Sequence, residues 1–369
     1  MSDRTEYQNV RRSLPKALVG ALAAALILTG CTGGTQETDT GRGSAISAKR
    51  CAQNEAAGEI TYLTGYQYQS SASILEVISA EALGYYDALC LDVTIEPGNG
   101  DTGTNAQVLA ANTVQFSAVS QQDLLLFHDN GVQIRGISSY SDAGLEILMT
   151  MPQITELPQL DGTTLGHKGS MPTTVLAMLD SAGVDVDSLT QVTVGFDPSV
   201  LPRGQVQSLT GFLSNEPNQL AAAGTPPTVW RPYDYGVPSS LGALAVNPAF
   251  ADANPSATED FLRATFRAFD HCAVNAEECV GYAADVAEAG YDTEHNLSVW
   301  QSEVEVIRET AEGPLGEIDP SNIAAINQML IDYGLVNTPL SDAEAEQLFD
   351  PSVVPTLYDD SGALIWPAP

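Results

Sequence analysis

The 369-residue chain carries 14 Lys+Arg against 47 Asp+Glu, a formal net charge of -33 and a pI near 4.1. With 44% hydrophobic residues and a mean hydropathy of -0.03 it is a globular chain, long enough for two domains. So few cations exclude a nucleic-acid binder that works by neutralising phosphates, and equally a polybasic membrane patch.

The first thirty residues differ from the rest. Arg4, Arg11, Arg12 and Lys16 outnumber Asp3 and Glu6, and Ala17 to Leu28 holds only apolar residues and Gly20. This stretch is too short to span a bilayer, which takes roughly 20 residues, and has the length of a signal-peptide core. It ends in Leu28-Thr29-Gly30-Cys31, which resembles the bacterial lipobox. That resemblance implies cleavage before Cys31 and lipidation of its thiol; an ordinary signal peptide or a short core helix is the alternative. The Arg11-Arg12 pair leaves Sec and twin-arginine export both open. Removing residues 1–30 discards four of the 14 basic and two of the 47 acidic residues, taking the net charge from -33 to -35. Residues 31–58, rich in Gly, Thr, Ser and Ala, read as a flexible tether with a reach on the order of 30 Å.

The chain has five cysteines. With Cys31 given to lipid, Cys51, Cys90, Cys272 and Cys279 form an even set suited to an oxidising compartment. Three pairings are possible; the favoured one joins Cys272 to Cys279, close in sequence, and Cys51 to Cys90. No Cys/His spacing suits zinc and the four histidines are scattered. Neither a metal nor a cofactor is expected.

From Glu59 short β-rich runs alternate with helical patterns. Strands are expected at Ile60–Leu63, Leu91–Ile95, Val114–Val119, Val132–Ile137 and Leu145–Met149. Between them, helices are expected around Ile74–Leu83, Ala106–Ala110 and Gln121–His128. A second series follows Pro158: strands at Thr163–Gly166, Val192–Val194 and Gly211–Leu213, and a helix at Thr173–Ser181. The strand Leu244–Val246 is then followed mostly by helices, of which Ala257–Phe269 is the clearest. Strand–helix–strand repetition implies parallel pairing and an α/β fold. Two such series suggest two lobes, residues 59–155 with 240–369 and residues 156–239.

Several blocks carry a family resemblance. They are Glu81-Ala82-Leu83-Gly84-Tyr85-Tyr86, Leu91 to Gly100, Phe116 to Leu125, and Leu160 to Gly166. With Gly211 to Pro217 and Tyr235-Gly236-Val237-Pro238, the region from about residue 60 to 290 resembles the SsuA/THI5-like group of ABC-importer substrate-binding proteins. The last two blocks resemble the branch that handles the pyrimidine precursor of thiamine, and a related riboflavin-linked branch. The resemblance implies a type II periplasmic-binding-protein-like fold, two α/β lobes joined by crossover strands with a helical C-terminal tail. Ligand is trapped between the lobes by hinge closure, and the partners are an ABC permease and its ATPase. A lipid-anchored monomer on the extracytoplasmic face of the membrane is expected.

In such sheets ligands sit beyond the carboxyl ends of strands. The rule selects Tyr66, Gln67 and Tyr68 after the first strand, able to stack on a planar ring and bond its edge. It selects Ser120 and Gln121 after the third, and Gly169 and Ser170 in the second lobe. Asn215 and Glu216 follow another strand, where a carboxylate suits an aminopyrimidine edge or a cationic amine. Tyr233 and Tyr235 lie near the return crossing. Each also has a plain structural reading, as solvated loop, helix cap or surface charge. After residue 51 the only basic residues are Arg135, Lys168, Arg203, Arg231, Arg263, Arg267 and Arg308. That scarcity favours a neutral or cationic heteroaromatic ligand over a nitrate- or sulfonate-type anion. The family also resembles fungal enzymes that make the thiamine pyrimidine with pyridoxal phosphate. This chain lacks their cysteine-rich motif and has no G-x-S-x-G, HExxH or P-loop, so binding without catalysis is expected. A surface adhesin or sensory lobe of the same fold is a third reading.

Overall fold

Two five-stranded sheets organise the residues that the computed structural model describes, 41–311 and 313–369. The expected signal peptide, Cys31 and residues 31–40 of the expected tether lie outside them. Helix α1 (Ala48–Ala56) leads into β1 (Glu59–Leu63), α2 (Leu75–Ala82), α3 (Tyr85–Ala88) and β2 (Asp92–Glu96). Next come α4 (Thr102–Ala110), β3 (Phe116–Val119), α5 (Gln121–Asp129) and β4 (Arg135–Ser141). The chain then crosses to a second sheet through β5 (Glu146–Thr150), β6 (Thr164–His167), α6 (Thr173–Ser181) and β7 (Thr190–Thr193). That sheet is completed by β8 (Ser208–Phe212), α7 (Glu216–Ala222) and β9 (Thr228–Trp230). The return strand β10 (Leu241–Val246) is followed by α8 (Pro248–Ala253), α9 (Pro255–Cys272) and α10 (Ala276–Val286). Helices α11 (Thr293–Thr310), α12 (Pro320–Asp332) and α13 (Asp342–Leu348) complete the order. None of the described helices is long and apolar enough to cross a membrane.

The strand orders are β2-β1-β3-β10-β4 and β7-β6-β8-β5-β9. Both sheets are mixed: β1 with β2 and β3, and β6 with β7 and β8, pair parallel as the strand–helix–strand repetition implies, and the crossing strands add antiparallel pairs. β10 enters the first sheet from the other lobe and lies antiparallel between β3 and β4. β5 likewise enters the second sheet antiparallel to β8 and β9. Because β5 pairs only there, the outward crossing falls at residues 142–145, earlier than the boundary read at 155. We call the two sheets with their covering elements lobe I and lobe II.

β5 shows how lobe II is built. Its alternating side chains split between two cores: Ile147 and Met149 pack with Leu209 and Leu220, while Leu148 packs with Leu165, Val175 and Met178. Lobe I buries a run of rings instead. Phe261 of α9 stacks on Phe116 at 4.2 Å between centroids and on Tyr86 at 5.4 Å.

Residues 41–58 belong to lobe I and are not a flexible tether. Ser47 caps α1 by accepting from Arg50 N, and Arg50 Nε donates to Asp260 Oδ2 at 2.7 Å. Disulfides join Cys51 to Cys90 and Cys272 to Cys279. Composition suggested a linker here because Ala, Ser and Gly carry no packing signal; the order comes from the bridge and the ion pair. The strand expected at Val132–Ile137 begins instead at Arg135, because Val132 N donates to Phe127 O to close the end of α5.

Candidate ligand-binding site

β1, β2 and β3 run parallel in lobe I, and β6, β7 and β8 run parallel in lobe II, so each sheet gathers three carboxyl ends at one end, the position where open α/β sheets bind ligands and which we take as the candidate cleft. Its hinge side is made by the two crossing segments, tied where Gly144 N donates to Ser239 Oγ at 2.8 Å. Asn322 of α12 donates both to Asp142 Oδ1 and to Ser239 O, at 2.9 Å each.

After β1 the chain turns sharply. Thr64 Oγ1 donates to Tyr66 O and accepts from Gly98 N. A Cβ on Gly98 would lie 2.1 Å from Thr64 O, so only glycine lets the β2 turn close on this loop. Tyr66 is 49% exposed, with Gly100 against its ring. Gln67 is exposed, and Tyr68 donates its hydroxyl to Ile95 O at 2.7 Å. Ser120 and Asp123 form the capping box of α5. Gln121 is buried, its amide donating to Ser139 Oγ and its backbone N to Ser240 Oγ. Gln121 is thus engaged within the protein, close to the return crossing that carries Ser240.

In lobe II, Gly169 takes a φ of +72° and is exposed together with Ser170. Between β6 and this turn, Lys168 forms an ion pair with Glu216. Glu216 is fully buried, and its other oxygen accepts from Phe212 N at 2.7 Å. A Cβ on Gly211 would meet that carboxylate at 2.7 Å. Both Glu216 oxygens are thus engaged within the protein, and the residue holds Lys168 at the rim. Asn215 donates to Glu216 Oε1 and pairs through Oδ1 with His295 Nε2 at 2.9 Å. Tyr233 is 42% exposed with its ring 5.6 Å from the Arg231 guanidinium, and Tyr235 packs into the core under α6.

The sequence reading missed an aromatic platform. Phe196, 83% exposed, lies just beyond β7, and Phe212, 50% exposed, ends β8. Lys168 Nζ sits 5.5 Å from the Phe196 centroid. In lobe I the exposed ring beyond a strand's carboxyl end is Tyr66, after β1.

It also missed two carboxylates. Asp123 of lobe I is raised above its ordinary pKa by burial, against the pull of its Ser120 and Thr102 hydrogen bonds. Glu146, which accepts from Thr174 Oγ1 at the start of β5, is raised first by burial and further by Asp123. Among the described residues neither has a basic partner at ion-pair distance. Lys168 is pulled below its ordinary pKa by burial.

Helix α11 spans both lobes along one side. On lobe I, Asn296 Oδ1 accepts from Ser70 N at 2.8 Å and Glu303 Oε2 from Ala72 N at 2.6 Å. On lobe II, Glu303 Oε1 accepts from Ser214 Oγ at 2.8 Å and Ser302 Oγ from Asn218 Nδ2 at 3.1 Å.

Two α/β lobes crossed twice, with a cleft between the carboxyl ends of their strands, define a periplasmic-binding-protein-like fold. The chain belongs to the NMT1/THI5-like family, whose sequence model matches residues 71–279. No curated protein matches it. Among solved structures, it is similar to the periplasmic aliphatic sulphonate binding protein SsuA from Escherichia coli. That likeness has a TM-score of 0.59 and 11% identity, over 79% of this chain and 91% of that one. The alkanesulfonate-binding protein SsuA from Xanthomonas axonopodis pv. citri, bound to MOPS, gives a TM-score of 0.54 and 10% identity, covering 78% and 97%. The desulfurization enzyme DSZB gives 0.56 and 14%, covering 80% and 98%. At these identities the likeness is one of fold.

Proposed function

We propose that the protein is the substrate-binding component of an ABC importer, held through a lipid on Cys31 at the extracytoplasmic face of the membrane. It captures a cationic or neutral nitrogen heteroaromatic solute, such as a thiamine pyrimidine precursor, and closes its lobes on it. The observation that supports this ligand class is exposed aromatic surface at Tyr66, Phe196 and Phe212 alongside two half-buried carboxylates, Asp123 and Glu146, that have no basic partner at ion-pair distance among the described residues. A cation bound beside them would relieve the repulsion that Asp123 exerts on Glu146. An aromatic ring gains stacking area on Tyr66, Phe196 or Phe212.

A second reading, a sulfonate-type anion, has its own support. It is the ligand class named for both SsuA proteins, and Arg231 has Nε and Nη2 buried without a partner. Fold alone does not separate binding from catalysis, since the desulfurization enzyme shares it.

Thermal unfolding with a ligand panel decides between them. A ligand at a hundred times its Kd adds about 2.7 kcal/mol, which raises Tm by several degrees in a protein of this size. The aminopyrimidine and thiamine are expected to raise Tm, with alkanesulfonates and nitrate inert. A shift confined to the sulfonates transfers the assignment to the Arg231 reading. No shift with any of them removes the heteroaromatic class, and turnover of a panel member overturns the binding-only role.

A further inference from the structure

A cavity of about 350 Å³ lies at the edge of lobe I farthest from the hinge. It is walled by the loops that follow β1 and β2 and by the connection between α10 and α11. Its volume falls in the range of small-molecule sites, roughly 300–1,000 Å³. The lining comes from lobe I alone, so the cavity is complete whatever lobe II does.

Its chemistry is one-sided. Tyr68 and Tyr291 supply rings, Pro97 and Val286 apolar surface, Gln67 an amide and Glu288 an exposed carboxylate; no lining residue is basic. Both tyrosines are held from behind. The Tyr68 hydroxyl donates to Ile95 O, and the Tyr291 hydroxyl shares a 2.5 Å hydrogen bond with Ser70 Oγ. Ser70 is itself fixed, its N donating to Asn296 Oδ1. The rings are therefore set in place before any ligand arrives, which lowers the ordering cost of binding. Among the described residues Glu288 has no ion-pair partner.

We propose that this cavity is a second binding site, on lobe I alone, for a planar aromatic cation, its ring against Tyr68 and Tyr291 and its charge facing Glu288. Electron-rich phenol faces attract such a cation, and the carboxylate adds charge complementarity that rejects an anion of the same shape. The site does not depend on the import reading. Its position on the loop that also carries Tyr66 makes it a place where a solute can be held before the lobes close.

The test is calorimetric titration of the protein with 1-methylpyridinium, a planar aromatic cation, and with benzenesulfonate as a single-ring aromatic anion. The cation is expected to bind and the sulfonate not to. Glu288→Gln is expected to weaken the cation at least five-fold. Tyr291→Phe, which keeps the ring, is expected to retain binding that Tyr291→Leu loses. No binding of the cation, equal binding of the sulfonate, or full affinity in Glu288→Gln overturns the proposal. Affinity lost in Glu146→Gln and kept in Glu288→Gln also overturns it, and assigns the cation to the cleft, leaving the proposed function standing.

Discussion

Replacing Asp260 with alanine is expected to cost about 3–5 kcal/mol of folding stability, the range for removing one partner of a buried ion pair. Asp260 is fully buried on α9 and serves three groups at once. Its Oδ2 accepts from Arg50 Nε at 2.7 Å and Asn54 Nδ2 at 2.8 Å. Its Oδ1 accepts from Arg263 Nε at 3.0 Å and Arg50 Nη2 at 3.0 Å. Arg263 is also fully buried, with Nη1 donating to Ile365 O. Without the carboxylate that guanidinium stays in the core uncompensated, and α1 loses its main polar anchor. Urea unfolding is expected to show the loss as a lower midpoint with a similar slope. Asp260→Asn, which keeps an acceptor but no charge, is expected to fall short of the alanine loss. A loss below about 1 kcal/mol in the alanine variant contradicts this account of the network.

The second large effect is a dependence on pH opposite in sign to ordinary acid denaturation. Glu76 and Glu303 are fully buried, and burial raises each carboxyl from 4.5 to about 7. Glu76 accepts from Ser73 N and from the Tyr140 hydroxyl, and its charge also raises Glu303. Between 4.5 and about 7 the folded state holds more protons than the unfolded state. Stability therefore falls as pH rises through that window, levels off above it, and is unaffected by these groups below it. At 1.36 kcal/mol per unit each group costs about 3 kcal/mol at pH 8 relative to the acid side. Chemical unfolding at about pH 5.5 and pH 8 is expected to give the higher free energy at the lower pH.

Glu303→Gln separates the two groups. An amide imitates the protonated acid, its oxygen accepting from Ala72 N and its NH₂ donating to Ser214 Oγ. The variant is expected to match the parent only near pH 4, to exceed it already at pH 5.5 and by more at pH 8, and to show a shallower slope. Because Ala72 belongs to lobe I and Ser214 to lobe II, ionisation of Glu303 acts on a tie between the lobes. Stability that rises from pH 5.5 to 8 contradicts the assignment.

These residues also show what was legible in the chain. The helix Thr173–Ser181 has the bounds its periodicity predicts, and the two α/β series were readable from their alternation. β4 was misplaced because its second half, Ser138-Ser139-Tyr140-Ser141, is a buried polar run without alternation. The mixed pairing was hidden because β5 and β10 join sheets distant in sequence, which local pattern does not report. At the candidate cleft, the rule of strand ends selects whole loops rather than single side chains. It could not separate Glu216, whose oxygens are engaged, from Glu146, which has no ion-pair partner among the described residues, since among 47 acidic residues only tertiary contacts tell them apart. Phe196 and Phe212 were invisible for the converse reason: a phenylalanine reads as core until the structure exposes it.

The central claim is that the cleft receives a nitrogen heteroaromatic solute that is not an anion. Native mass spectrometry of the protein purified from its own host, with no ligand added, tests it most directly. The account predicts a one-to-one complex whose released molecule has the mass of a nitrogen heterocycle, cationic or neutral, and is displaced by the aminopyrimidine. A released alkanesulfonate or other organic anion, bound in the same stoichiometry, contradicts it.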